Sequence, residues 1–288
     1  VQSVVVEQFL TEFKKRSKLF YPKVRENFDN NRDEFIDLGE KMLDWAYKYL
    51  GDDVWQRSIV GYSRFVTDVN RSQMKYEKTK RYENSSYEEV YKNVYNNSDF
   101  MESYHWGVYL TTFAWEHHLE LHRFFKDNFL KLLDDRELRG VDLGAGSGIW
   151  SMLLVDHNKK WKTTAVDISE KSVDLARNFV KANQFSNSIN VTLGNALTYE
   201  ADYLSDFGVS CFLIEHLEDP SLLFNNLFRN LKEGAFAFVT AALTAAEIDH
   251  IYEIKNESEL INMAEKAGFR VLSSFSAAPR GLSRELQF

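Results

Sequence analysis

A doubly wound α/β fold is predicted, with a mostly parallel seven-stranded sheet in residues 134–288 and an all-helical region in residues 1–133. Three observations predict it. Apolar residues in the first part recur at helical spacing. From Arg139 onward, short apolar runs alternate with helical segments, the pattern of a parallel sheet with crossover helices. At the junction stands "VDLGAGSGIW", residues 141–150, in which Gly144, Gly146 and Gly148 follow a short apolar run that holds one acid, Asp142.

In "FIDLGEKMLDWAYKYL", Phe35, Leu38, Met42, Leu43, Trp45 and Leu50 fall near one stripe, so a helix is expected there. A second long helix is expected from about Val108 to Leu133. Pro22 is the single proline of this region. The result is a helical bundle with an aromatic-rich core, expected to act as lid and specificity region. The polar, tyrosine-rich stretch "KYEKTKRYENSSYEEVYKNVYNNSDF" reads as loop plus one short helix.

In the second part, strands are expected at "GVDLG", "KTTAVDI", "INVTLGN", "GVSCFLI", "AFAFVTAAL" and "FRVLSSFSA", and a seventh, antiparallel, at "SRELQF". Helices are expected near 148–157, 170–183, 220–232 and 257–267. Asp219 can cap the third of these, with Pro220 at its first position. Gly234 and Gly268 are placed at left-handed helix ends.

Hydrophobic residues at 44% and charged residues at 27% place the chain among globular proteins rather than disordered ones. A net charge of −8 argues against nucleic acid as partner. Cys211 is the single cysteine, which excludes an intrachain disulfide and zinc sites built on paired cysteines. That fits a reducing cytoplasm. The N-terminal stretch is unlike a signal peptide, and no run approaches the roughly 18 apolar residues of a membrane span. No membrane partner is expected, and a homodimer is compatible with the composition.

Three ligands compete for the glycine turn. A phosphate loop needs a lysine followed by Ser or Thr, which is missing. A dinucleotide turn counted from Gly144 needs glycine at 149, where Ile149 stands. The preceding acid would repel a pyrophosphate but not a cationic or zwitterionic ligand.

At these residues the sequence resembles the class I S-adenosylmethionine-dependent methyltransferases, a Rossmann-like family, over roughly residues 135–276. "VDLGAGSG" resembles the first motif, and "TTAVDIS" places Asp167 at the end of the second strand. "LGNAL" resembles the segment beyond the third strand, "FLIEHLEDP" the fourth-strand segment, and "LKEGAFAFVTA" a hairpin into the fifth strand. The resemblance implies S-adenosyl-L-methionine as cofactor. Its implied contacts are Asp142, Gly144, Ala145, Gly146, Gly148, Ile168 and Leu213, with Asp167 on the ribose hydroxyls and Asn195 and Ala196 at the adenine. Asn195 departs from the acid that many relatives carry there. A helical segment before the first motif often covers the cofactor in small-molecule methyltransferases. Tyr104, Tyr109, Thr111 and Thr112 are therefore candidates, with helix packing as the alternative.

Catalytic candidates stand in two places. His216 follows the fourth strand. Asp249 and His250 lie in "TAALTAAEIDHIYE" after the fifth strand, near Glu247, Tyr252 and Glu253. A general base, if the acceptor needs one, is expected from the Asp249–His250 pair, with His216 as the alternative. His118 and His122 have the i, i+4 spacing of metal ligands, but without a complete ligand set no metal is expected. The function expected is methyl transfer to a small-molecule acceptor in secondary or specialised metabolism. The rivals are a cofactor-consuming cyclase or lyase on the same fold, and a non-catalytic cofactor-binding module.

Overall fold

The computed structural model describes residues 3–95 and 98–278. Helix α1 (Val4–Arg16) begins where the Ser3 hydroxyl accepts a hydrogen bond from the Val6 amide, and it ends on Lys14, Lys15 and Arg16. Its buried residues Val6, Phe9, Leu10 and Phe13 make one stripe. Helices α2 (Tyr21–Asn30, with Pro22 in its first turn), α3 (Arg32–Leu50) and α4 (Val54–Thr79) follow. After the short α5 (Tyr87–Val90) come α6 (Ser98–Ala114) and α7 (Glu116–Phe124). The single helix expected over Val108–Leu133 is interrupted, because Trp115 is extended at φ −98° and ψ 131° and restarts the chain as α7.

The bundle core is aromatic. Phe113 meets Phe9 and Phe35 edge to face, each at 5.3 Å between ring centres. Helices α4 and α6 pack so closely that a Cβ on Gly107 would lie 2.2 Å from the Phe65 Cβ. The same core continues into the α/β part, reaching Ile149, Met152, Val173 and Phe179.

Strands β1 (Arg139–Leu143), β2 (Lys162–Asp167), β3 (Ile189–Leu193), β4 (Ser205–Cys211) and β5 (Leu231–Thr240) form a parallel sheet in the order β3-β2-β1-β4-β5. They alternate with α8 (Ile149–His157), α9 (Glu170–Ala182) and α10 (Ser221–Arg229), and α11 (Glu257–Lys266) follows. Among the described residues the sheet has five strands, not seven. Residues 269–277 form no ladder. Phe269 packs edge to face on Phe228 and Phe275 stacks on Phe124, so the apolar residues of this segment are drawn to two different helices. "SRELQF" lies outside the described residues.

Two smaller corrections concern glycine and the fifth strand. "LKEGAFAFVTA" is no hairpin: it holds a bulge between the Ser205–Leu231 and Phe207–Phe236 pairs, and Gly234 supplies φ +75° within it instead of closing a helix. Gly268, at φ +105°, does follow the end of α11. Asp219 accepts a hydrogen bond from the Ser221 amide at 3.0 Å, and α10 starts directly after Pro220. No helix among the described residues is long and apolar enough to cross a membrane. The strand order reverses between β1 and β4, where open α/β sheets form a crevice beyond the strand ends.

Candidate active site

The turn after β1 is held by the neighbouring strand. The amides of Gly144 and Ala145 both donate to the Val166 carbonyl, at 2.8 and 3.0 Å. Gly144, Gly146 and Gly148 have φ of +77°, +54° and +79°, the left-handed region that glycine enters without strain. A Cβ on Gly144 would strike the Leu213 side chain at 2.5 Å, whereas one on Gly146 would meet nothing within 4 Å. Leu213 therefore packs against the back of the loop, and the Gly146 side is open to a ligand.

Asp167 closes the turn. Its carboxylate accepts from the Gly146 amide at 2.8 Å and from the Ser169 amide at 2.9 Å. Burial raises its pKa, against these two bonds and the His216 charge. Such a carboxylate beside the loop suits hydroxyl donors and opposes a phosphate. Ile168 is 47% exposed. Asn195 is exposed, and its Oδ1 accepts from the Leu197 amide at 2.8 Å, while Ala196 is buried beside it.

Asp142 stands elsewhere than a ligand contact requires. It is 1% exposed and enclosed behind the loop, where its Oδ2 accepts from the Ser151 hydroxyl at 2.8 Å and its Oδ1 has no hydrogen-bond partner. Burial pushes its carboxyl up to about 7. Tyr109 is another correction. Its hydroxyl donates to the Met42 carbonyl and its ring packs on Phe179, inside the core. The hydroxyls of Thr111 and Thr112 donate to the Val108 carbonyl within α6. Tyr104 lines the cleft, stacked on Phe100 and edge-on to Phe65.

One cleft of about 2030 Å³ joins the glycine loop and Asp167 to the loops beyond β4 and β5. At its second end, Phe212 leaves β4 at φ +55°, a left-handed turn that costs a non-glycine residue about 1–2 kcal/mol. The chain then makes a tight 3-10 turn, Ile214–His216. The loop after β5 brings Glu247, Asp249 and His250 back onto it.

The expected Asp249–His250 pairing is not the one formed. Asp249 approaches His216, with Oδ2 3.5 Å from Nδ1, and its carbonyl lies 3.1 Å from the same nitrogen. Burial opposes protonation of His216, yet the carboxylates of Asp249, Glu215 and Asp167 together raise its pKa. His250 instead donates through Nδ1 to the Ala245 carbonyl at 2.7 Å. Burial, with the nearby His216 charge, lowers its pKa to about 4, so it is a weak base at neutral pH. Burial raises Glu215, and burial with the charges of Asp249 and Glu215 raises Glu247 further.

His118 and His122 do not converge on a site: His118 lies against Phe212 and His122 against Phe125. Sequence reasoning missed the residues that brace the loop after β5. Gln73 accepts from the Ala246 amide at 3.1 Å, Asn84 donates to the Ile248 carbonyl at 2.6 Å, and the Tyr76 hydroxyl donates to Glu253. These contacts span 164 to 177 residues of chain, so no local pattern announced them.

A methyltransferase-domain family matches residues 115–274, more than half of the chain. An uncharacterized protein of Methanocaldococcus jannaschii, MJ1452, is 30% identical over 145 residues, covering 46% of this chain and 54% of that protein. The chain thus spans about half the length of this curated relative. Among solved structures, PigF with SAH is similar at a TM-score of 0.54 and 12% identity, over 71% of this chain and 65% of that one. Haemonchus contortus phosphoethanolamine N-methyltransferase 2, in complex with S-adenosyl-L-methionine, is similar at a TM-score of 0.51 and 20% identity, over 65% of this chain and 45% of that one. The glycine turn, Asp167 and the crevice between β1 and β4 all lie within the matched residues, and the chain belongs to the class I S-adenosylmethionine-dependent methyltransferases.

Proposed function

We propose that this chain transfers the methyl group of S-adenosylmethionine to a small-molecule acceptor held in the same cleft. The observation that carries this reading is the continuity of the cleft. Gly144, Ala145, Gly146 and Asp167 line one end, and Glu215, His216, Glu247 and His250 line the other. The same cleft runs on past these residues along β5, so an acceptor can enter beside the cofactor.

The residues present fit the cofactor. The open Gly146 side lets a ligand approach the backbone, and the Asp167 carboxylate can accept from ribose hydroxyls. Asn195 and Ala196 line the cleft where the adenine would lie. The bound cofactor supplies an electrophilic methyl on a sulfonium. Phe65, Tyr104, Val108 and Trp115 of the helical region form an apolar wall that would exclude water. Holding two reactants in line in such a place supplies much of the acceleration. The polar end would receive and orient the acceptor's nucleophilic atom. Because the walls come from helices that overlie the sheet, an acceptor small enough to enter the cleft suits them better than a macromolecule.

The test is incubation with S-adenosylmethionine and a panel of small amines, phenols, thiols and carboxylic acids, followed by mass spectrometry. A methylated product formed together with S-adenosylhomocysteine is expected. Turnover that leaves an unmethylated, rearranged product would favour the cyclase or lyase reading. Failure to bind the cofactor would end both.

A further inference from the structure

Glu215 and His216 lie in the turn after β4, and His250 lies in the loop after β5. One ligand-capable atom from each falls within 4.8 Å of the others. A second set, Glu247, Asp249 and His250, meets the same condition and shares His250. The two sets meet at His250, which thus has an imidazole and carboxylates from two loops around it.

Three further observations point to a ligand. First, both imidazoles are held through Nδ1 by backbone carbonyls, His216 by Asp249 at 3.1 Å and His250 by Ala245 at 2.7 Å. Metal-binding histidines are oriented in this way, with one nitrogen donating to a carbonyl and the other presenting its lone pair. Second, Glu215 is 1% exposed, and its Oε2 has no hydrogen-bond partner, while Oε1 accepts a 3.3 Å bond from the Ala242 amide. A buried carboxyl oxygen in that state, with two imidazoles beside it, is open to a cation or a proton. Third, the Tyr82 hydroxyl is likewise buried without a partner, and its ring lies edge-on to His250 at 6.0 Å.

We propose that Glu215, His216 and His250, joined by a carboxylate of the Glu247–Asp249 pair, bind one divalent transition-metal ion. Nitrogen and oxygen ligands hold such ions at about 2.0–2.2 Å, so the three side chains must draw slightly closer around it. The two imidazoles select zinc, cobalt, iron or manganese over magnesium or calcium, which prefer oxygen alone. Glu215, His216, Glu247 and His250 all line the cleft, so the ion would sit at its acceptor end. The site rests on these side chains and not on the methyl-transfer reading.

The experiment uses the full chain, stripped with a chelator and dialysed, without cofactor or acceptor. Zinc, manganese and cobalt ions are titrated separately by calorimetry, and the cobalt form is examined by visible absorption. One equivalent is expected to bind, with cobalt bands of a nitrogen–oxygen site. Glu215→Gln and His250→Ala should each weaken binding on the order of 100-fold or more, with S-adenosylhomocysteine affinity reporting that each variant is folded. His118→Ala should leave binding unchanged. Absence of stoichiometric binding, or binding that survives both Glu215→Gln and His250→Ala, overturns the proposal. So does loss of binding in His118→Ala alone.

Discussion

At the glycine-loop end of the cleft the turn is tied to the strand that follows it in the chain: Gly146 and Asp167, which hold each other, are 21 residues apart. At the other end, Tyr76 and Glu253 are 177 residues apart, and Gln73 reaches Ala246 across 173. The two ends also differ in how they bury acids. Asp142 is held only by Ser151, with no cationic group beside it and the Asp167 charge nearby. Glu215, Glu247 and Asp249 lie among two imidazoles and one another. An isolated buried carboxyl can settle by taking up a proton. Crowded carboxyls are pushed towards protonation as well, but with histidines between them they can share a proton or, as proposed above, a cation. The first arrangement supports a turn, and the second presents polar groups to the cleft.

The largest expected effect tests that isolation. The native Asp142 carboxyl is pushed up to about 7, against about 3.9 in an unfolded chain. Between those values the folded state holds a proton that the unfolded state has lost. Stability therefore falls as pH rises from about 4 to about 7 and is flat above. The loss is on the order of 4 kcal/mol. Asp142→Asn removes this dependence while keeping an acceptor for Ser151. Urea titrations should show the variant gaining on the parent across that window and no further above it. A constant difference from pH 4 to 8 would mean that Asp142 is not the isolated acid its surroundings make it.

Next is Asp167→Ala, which removes the carboxylate from both loop amides and from the ligand. Charge-assisted bonds of this kind are worth about 1.5–3 kcal/mol, so S-adenosylhomocysteine affinity should fall roughly 10- to 150-fold. Calorimetry on a variant with unchanged helical content checks it. If affinity stays while metal binding or acceptor use is lost, the two ends have been assigned the wrong way round.

These two residues also show what was legible. β1, β2 and the turn between β1 and α8 could be read because a strand, three glycines and an acid at the next strand end form a local pattern. The expected helices at 148–157, 170–183 and 257–267 agree closely with α8, α9 and α11, since an amphipathic period and a cap are local too. The sixth strand misled for a physical reason. Phe269 and Phe275 are apolar enough for a strand, yet each packs on a separate helix. How Asp249 and His250 are held was not legible, because adjacency in sequence says nothing about which imidazole a carboxylate will face. The loop after β5 turns Asp249 toward His216 and fastens His250 to Ala245. The brace from Gln73, Tyr76 and Asn84 could not be read at all, because it pairs ordinary polar residues across most of the chain.

The smallest expected effect probes that brace. Tyr76 is 9% exposed, and its hydroxyl, whose pKa burial and Glu253 raise to about 12, stays a donor to Glu253 across the physiological range. Tyr76→Phe keeps the ring contact with Tyr82 and deletes only the donor. A lost bond of this type costs about 1 kcal/mol, which corresponds to roughly fivefold more frequent opening of the loop. Amide hydrogen exchange over residues 244–253 should rise by about that factor, while exchange in β1 and α8 and the cofactor's dissociation constant stay as they were. The loop carries its own support, since the Thr244 amide donates to the Ile254 carbonyl at 2.9 Å, so the change should be graded rather than a collapse. If the glycine turn loosens equally, the helical region stabilises the whole cleft. If only residues 244–253 respond, α4 serves the acceptor end alone.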